Sequence, residues 1–112
     1  MVPRVLRPDP ERTFVASAAR ASGHRAVEAE LLRVKATALL SLDADAAEAA
    51  ANEGYELAQG LGLGPEQAHG LRTLGEVMAA KGDKTKADEL HGLARKKFLS
   101  LGMARWAEKP RR

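Results

Sequence analysis

The chain repeats itself, and the period limits what it can fold into. Ser22-Gly23-His24, Leu61-Gly62-Leu63 and Leu101-Gly102-Met103 stand at a nearly constant interval. Between these marks one pattern runs twice. Ala29, Leu32, Arg33, Ala36 and Leu39 return one interval later as Ala68, Leu71, Arg72, Gly75 and Met78. Asp43 and Ala47 return in the same way as Asp83 and Ala87. Self-similarity at a period of roughly 20–50 residues marks a stacked repeat, in which no unit buries its apolar face alone. Such a stack offers an extended surface, which favours binding over catalysis.

Alanine is abundant and β-branched residues are few, and both facts favour helix. The pattern predicts five helices and no strands. The first runs from about Pro10 to Ala21, with Asp9 as N-cap and Ser22-Gly23 as its stop. The second runs from about Arg25 to Leu42, and the third from Ala44 to Gly60 behind Asp43 as N-cap. The fourth opens at Pro65, with Glu66 on the favourable end of the helix dipole, and ends near Lys81-Gly82. Asp83 caps the fifth, which runs to about Ser100, and residues 103–112 form a short turn or tail. Leu71, Leu74, Gly75 and Met78 lie on one face at helical spacing, as do Ala87, Leu90, Ala94, Phe98 and Leu101. Ala47, Ala50, Ala51, Gly54, Ala58 and Leu61 give the third helix a stripe of mostly small residues, so two neighbours should approach it closely. Short links at Leu42-Asp43 and Lys81-Gly82-Asp83 force antiparallel hairpins.

At 112 residues the sequence reads as a single domain over 1–112. Cysteine is absent, which removes disulfides, thiol nucleophiles and thiolate metal sites. No stretch approaches the roughly 18 apolar residues of a membrane span, and no secretory leader is visible. The net charge is +3, with basic and acidic residues mixed outside Lys96-Lys97 and the tail. Mixed charge and only four aromatic residues argue against nucleic-acid binding. His24, His69 and His91 fall on different elements without ligand spacing, so no metal or cofactor is expected. No phosphate loop, His-Glu-x-x-His or nucleophile elbow occurs, so the chain reads as non-enzymatic.

From Leu71 onward the residues resemble a tetratricopeptide repeat. Leu74-Gly75, Gly82-Asp83, Ala87 and Ala94 fall at that family's spacing. Leu74, Gly75, Gly82, Ala87 and Ala94 are thus the structural positions of the repeat. The preceding unit matches less well, with Lys35-Ala36, Leu42-Asp43, Ala47 and Gly54 in the corresponding places. The family's usual period is about 34 residues. The longer period here is similar to a variant found in bacterial transcription regulators, kinases and cyclases. The resemblance implies a short right-handed α-solenoid of antiparallel hairpins. A capping helix would span 10–22, a degenerate repeat 25–62, a better-matched repeat 65–102 and a tail 103–112. It implies a cytoplasmic protein-interaction scaffold, part of a larger bacterial regulatory protein, or a purely structural or oligomerising segment of a longer array. A nucleic-acid accessory acting through the basic tail is the remaining alternative.

In this family the first helix of each unit lines the concave face. The positions expected there are Glu30, Arg33, Thr37 and Leu40, then His69, Arg72, Glu76 and Ala79, of which the six polar ones are the expected contact residues. Two guanidiniums at one period suit an acidic peptide, because guanidinium binds carboxylate bidentately. The plain alternative pairs each arginine with Glu30 or Glu76 along its own helix. His91 is expected to pack between helices. Trp106 is expected either to lie exposed or to cover the end of the last helix, the cover being favoured. Phe14, Val15 and Ala18 are expected to close one end of the stack. Phe98, Leu99, Leu101 and Met103 exceed what one tail can cover, so a homodimer, or an exchanged tail, through the helix from Lys84 to Ser100 is expected.

Overall fold

The computed structural model describes the backbone of residues 10–108 and the side chains of residues 23–108. Five helices make up the described chain: α1 (Pro10–Leu39), α2 (Ala44–Gly60), α3 (Gly64–Ala80), α4 (Lys84–Ser100) and α5 (Ala104–Ala107). No strand occurs among the described residues. α1 packs on α2, α2 on α3, α3 on α4 and α4 on the short α5, with a smaller contact between α1 and α3. The fold is all-α: antiparallel hairpins stacked in chain order.

Local chemistry sets the helix ends. The Asp43 carboxylate accepts the Ala46 N–H at 3.1 Å, and Asp83 accepts the Lys86 N–H at 3.0 Å. Each satisfies an orphan donor of the first turn. α3 has no side-chain cap, and Pro65 starts it instead. α2, α3 and α4 end in one way. Gly62, Gly82 and Gly102 take φ of 67°, 86° and 73°, a region closed to most side chains. The N–H after each glycine reaches back to Ala58, Met78 and Phe98 at 2.9, 2.9 and 2.8 Å, the Schellman arrangement.

The break expected at Ser22-Gly23 is absent: α1 is continuous from Pro10 to Leu39. Gly23 is not among the positive-φ glycines. The three glycines that do stop a helix differ in their neighbours. The Schellman turn gains from an apolar contact between the residue after its glycine and the turn before. Leu63 and Met103 can supply it, but the turn at Gly82 forms with Asp83 in that place, so this contact does not account for the continuity at Gly23. The separate capping helix over 10–22 is merged with α1. The inward placement expected of Phe14, Val15 and Ala18 lies outside the described side chains, as does the tail beyond Glu108. α1 also ends at Leu39, short of the expected Leu42, and links to α2 without a glycine.

The core is built from small side chains held close. Ala36, Ala47, Ala50 and Ala51 bury with Leu74 and Val77 across α1, α2 and α3. A second cluster joins Ala68 and Leu71 to Ala94 and Phe98 between α3 and α4, with Met103 and Ala107 against it. α2 is sandwiched as its alanine stripe implies. A side chain at Gly54 would meet Leu32 Cβ at 3.1 Å on α1, and one at Gly70 of α3 would meet the Tyr55 ring of α2 at 3.0 Å. Lys81 ties the end of α3 to the start of α2 through Glu48 at 2.7 Å and Asp45 at 2.9 Å. Those bonds raise the Lys81 pKa, Glu48 contributing most.

Candidate functional site

The first helix of each unit carries an arginine at the same register, and the two have different surroundings. Arg33 of α1 reaches across to α3. Its Nε donates to Glu66 Oε2 at 2.5 Å and its Nη2 to Oε1 at 3.5 Å. The two side chains are 23% and 16% exposed, so this pair is partly withdrawn from water. The pairing with Glu30 along α1 does not form. Glu30 is exposed, and so is Thr37, whose hydroxyl donates to the Arg33 carbonyl at 3.2 Å.

Arg72 of α3 is held by rings instead of a carboxylate. Its Cζ lies 5.2 Å from the Trp106 ring centroid and 5.5 Å from that of Phe98. Its Nη2 lies 3.3 Å from His69 Nδ1, where the guanidinium donates to an unprotonated ring nitrogen. The His69 ring stands edge-on to Phe98 at 5.0 Å and to Trp106 at 4.7 Å. The Phe98 and Trp106 rings are stacked, 6.2 Å apart. Nη1 is buried and meets no hydrogen-bond acceptor among the described residues. Burial lowers the Arg72 pKa from its ordinary value, Glu76 opposes the shift, and the Arg33 charge adds to it. The group stays charged, because arginine is not deprotonated in proteins.

Four of the six expected positions thus fall together. Arg33 acts electrostatically on Arg72, Arg72 touches His69, and Glu76 bears on Arg72 from the same helix. Glu30 and Thr37 are exposed on α1, and the Thr37 hydroxyl bonds to the Arg33 backbone carbonyl. The structural positions behave as the pattern implies: Leu74, Ala87 and Ala94 are buried, and Gly82 takes the turn conformation. A side chain at Gly75 would come within 2.8–2.9 Å of the His91 ring, so His91 does pack between α3 and α4.

Glu66, Phe98 and Trp106 complete the group, and the expected concave set does not contain them. The signal for them lies in the repeat. One period beyond Arg33 stands Arg72, and one period beyond Glu66 stands Trp106. α5 likewise begins one period after α3, behind the same Leu-Gly-apolar link. α5 thus stands at the register of the start of α3, and Trp106 stands over Arg72 where Glu66 stands over Arg33. Trp106 meets both expected alternatives in part: its ring contacts Phe98 and His69, and it remains 38% exposed. Phe98 is buried, at 1% exposure, and Met103 is half-buried. Of the apolar residues expected to overload that end, Leu99 and Leu101 remain exposed.

Two open grooves lie elsewhere. One of about 410 Å³ runs along α1 and α2 past Arg25, Glu28, Glu53 and Glu56. Another of about 370 Å³ runs over Tyr55 and Leu71, with Leu93, Lys96 and Lys97 beside it. None of the six expected positions lines either groove. Among the described residues no group of three or more His, Asp or Glu side chains is placed to hold a metal ion, and no helix is long and apolar enough to cross a membrane. Searches against protein-family models, curated proteins and solved structures return no match to this chain.

Proposed function

We propose that the chain is a non-catalytic protein-interaction module of the tetratricopeptide kind, binding an acidic peptide or helix along the face shared by α1 and α3. The observation behind this reading is the recurrence of arginine at one register on consecutive first helices, Arg33 and Arg72, close enough for one charge to bear on the other. Planar guanidinium is well suited to recognising carboxylates at a protein surface. The resemblance favours a cytoplasmic regulatory setting in a bacterium. Anisotropy of labelled decapeptides tests the reading. Glu-bearing peptides should bind and their Gln counterparts should bind more weakly. Equal binding of the two sets, or none by either, would contradict it. Tight binding of duplex DNA that collapses with salt would move the reading to a nucleic-acid accessory.

A second reading, a structural or self-associating segment of a longer array, has its own support. Val27, Leu31 and Val34 form an exposed apolar stripe on α1. One period later their places are taken by Glu66, Gly70 and Thr73 on α3, where Gly70 and Thr73 are buried and Gly70 faces α2. The stripe is therefore at the register that takes a preceding helix. Leu93 and Leu99 on α4 are exposed near the other end, which keeps the homodimer through α4 within this reading. Sedimentation over a range of concentrations separates the two readings. Reversible self-association that is lost in Leu31→Glu supports the second, and a strict monomer removes it.

A further inference from the structure

The two arginine sites are one site repeated, and only one of them is complete. Arg33 has a carboxylate, Glu66, on its fork. At the same register Arg72 has the Trp106 indole, which accepts no hydrogen bond from a guanidinium in the way that an oxygen does. Buried donors are normally satisfied, and a charged donor loses most when it is not. Arg72 Nη1 is such a donor, buried with no acceptor among the described residues. A cation over a ring is stabilised, yet a carboxylate would supply opposite charge and two acceptors at once.

The indole is also the most exposed part of this site. It is 38% exposed and stands on α5, a helix of four residues. Phe98 beneath is 1% exposed and belongs to the core. Displacing Trp106 would open Arg72 while Phe98 stays in place as its apolar floor.

We propose that Arg72, framed by His69 and Phe98, is a receptor for a single carboxylate of a partner peptide, and that Trp106 is its cover. The inference rests on the reading of the chain as an acidic-peptide binder and names the residue and the group that carry it. Glu66 already occupies Arg33, so Arg33 contributes long-range charge and Arg72 makes the direct contact.

Trp106 is the only tryptophan in the chain, so its emission reports on the cover alone. The experiment follows anisotropy and tryptophan emission together as N-terminally labelled decapeptides are added. Three probes are used: a C-amidated Glu-bearing peptide, its C-amidated Gln counterpart, and the Gln peptide with a free C-terminal carboxylate. Binding of the Glu peptide or of the free-carboxylate peptide, with a red shift of Trp106 emission, is expected. Which of the two binds tells side-chain from terminal carboxylate. Arg72→Gln should weaken that binding by about tenfold or more, equivalent to about 1.4 kcal/mol. Arg72→Lys, which keeps the charge and loses the fork, should fall between. Circular dichroism verifies that each variant is folded. Carboxylate binding that leaves Trp106 emission unmoved and survives Arg72→Gln and Arg72→Lys overturns this site, and leaves the acidic-peptide reading standing. No binding by any carboxylate probe overturns both.

Discussion

The α1–α2 hairpin and the α3–α4 hairpin follow one plan with different residues, and the differences show what the plan requires. At the helix crossing the first unit has Ala36 and Ala51 in one buried cluster. The second has Gly75 and, at the register of Ala51, His91. Two small residues serve where a neighbouring helix fills the space from the other side. A glycine and a ring serve at the α3–α4 crossing, where α4 packs only on α3 and the short α5 among the described residues. The same exchange occurs one turn from the helix end, where Ala58 of α2 corresponds to Phe98 of α4. Ala58 lies under α3, a full-length helix, whereas Phe98 lies under α5, which is one turn long. The larger side chain fills more of the space beneath the shorter helix, and buried aromatic area is the natural means.

The comparison can be broken first where it rests most on one side chain. Phe98→Ala should destabilise by about 3–5 kcal/mol, since the cavity cannot be filled by a helix of one turn. Leu74→Ala should cost about 2–5 kcal/mol, while Lys35→Ala at the same register should stay within about 0.5 kcal/mol. Lys35 is exposed and Leu74 is buried. Urea midpoints for the three variants check the order, and equal effects at Leu74 and Lys35 would deny that the units differ in packing. The next test sharpens the crossing. Gly75→Ala should cost about 1–3 kcal/mol, because the new methyl meets the His91 ring. Adding His91→Ala makes this crossing resemble that of Ala36 and Ala51 and should recover much of the loss. A double-mutant cycle reads the coupling, and additive effects would place the strain elsewhere. The smallest expected effect is at the first arginine. Glu66→Gln should cost about 1 kcal/mol, a partly exposed ion pair being screened. Thermal melts at low and high salt check it, with the difference shrinking as salt rises.

Much of this architecture is legible in the sequence because it is written locally. Asp43, Asp83 and Gly82 act on backbone groups within a few residues, so helix ends can be read from neighbours alone. The alanine stripe of α2 predicts a sandwiched helix for the same reason: small residues at helical spacing permit close approach. Gly23 shows where local reading stops. Its sequence context resembles the other links, yet α1 runs on through it. The pairing of Arg33 with Glu66 could not be read from spacing along one helix, since it spans two units and depends on how they stack. Once the repeat offsets are placed on the structure, the substitution of Trp106 for Glu66 follows from the sequence itself.

The central claim is that Trp106 stands at the carboxylate position of a repeated arginine site. Thermal melts of Trp106→Glu and Trp106→Gln test it most directly, because both lose the indole and differ only in charge. A carboxylate at that register should engage Arg72 as Glu66 engages Arg33. Trp106→Glu is therefore expected to be the more stable by about 1 kcal/mol, a few degrees in Tm for a domain of this size. Equal melting temperatures, or a less stable Trp106→Glu, would contradict the claim that the two arginine sites are one site repeated.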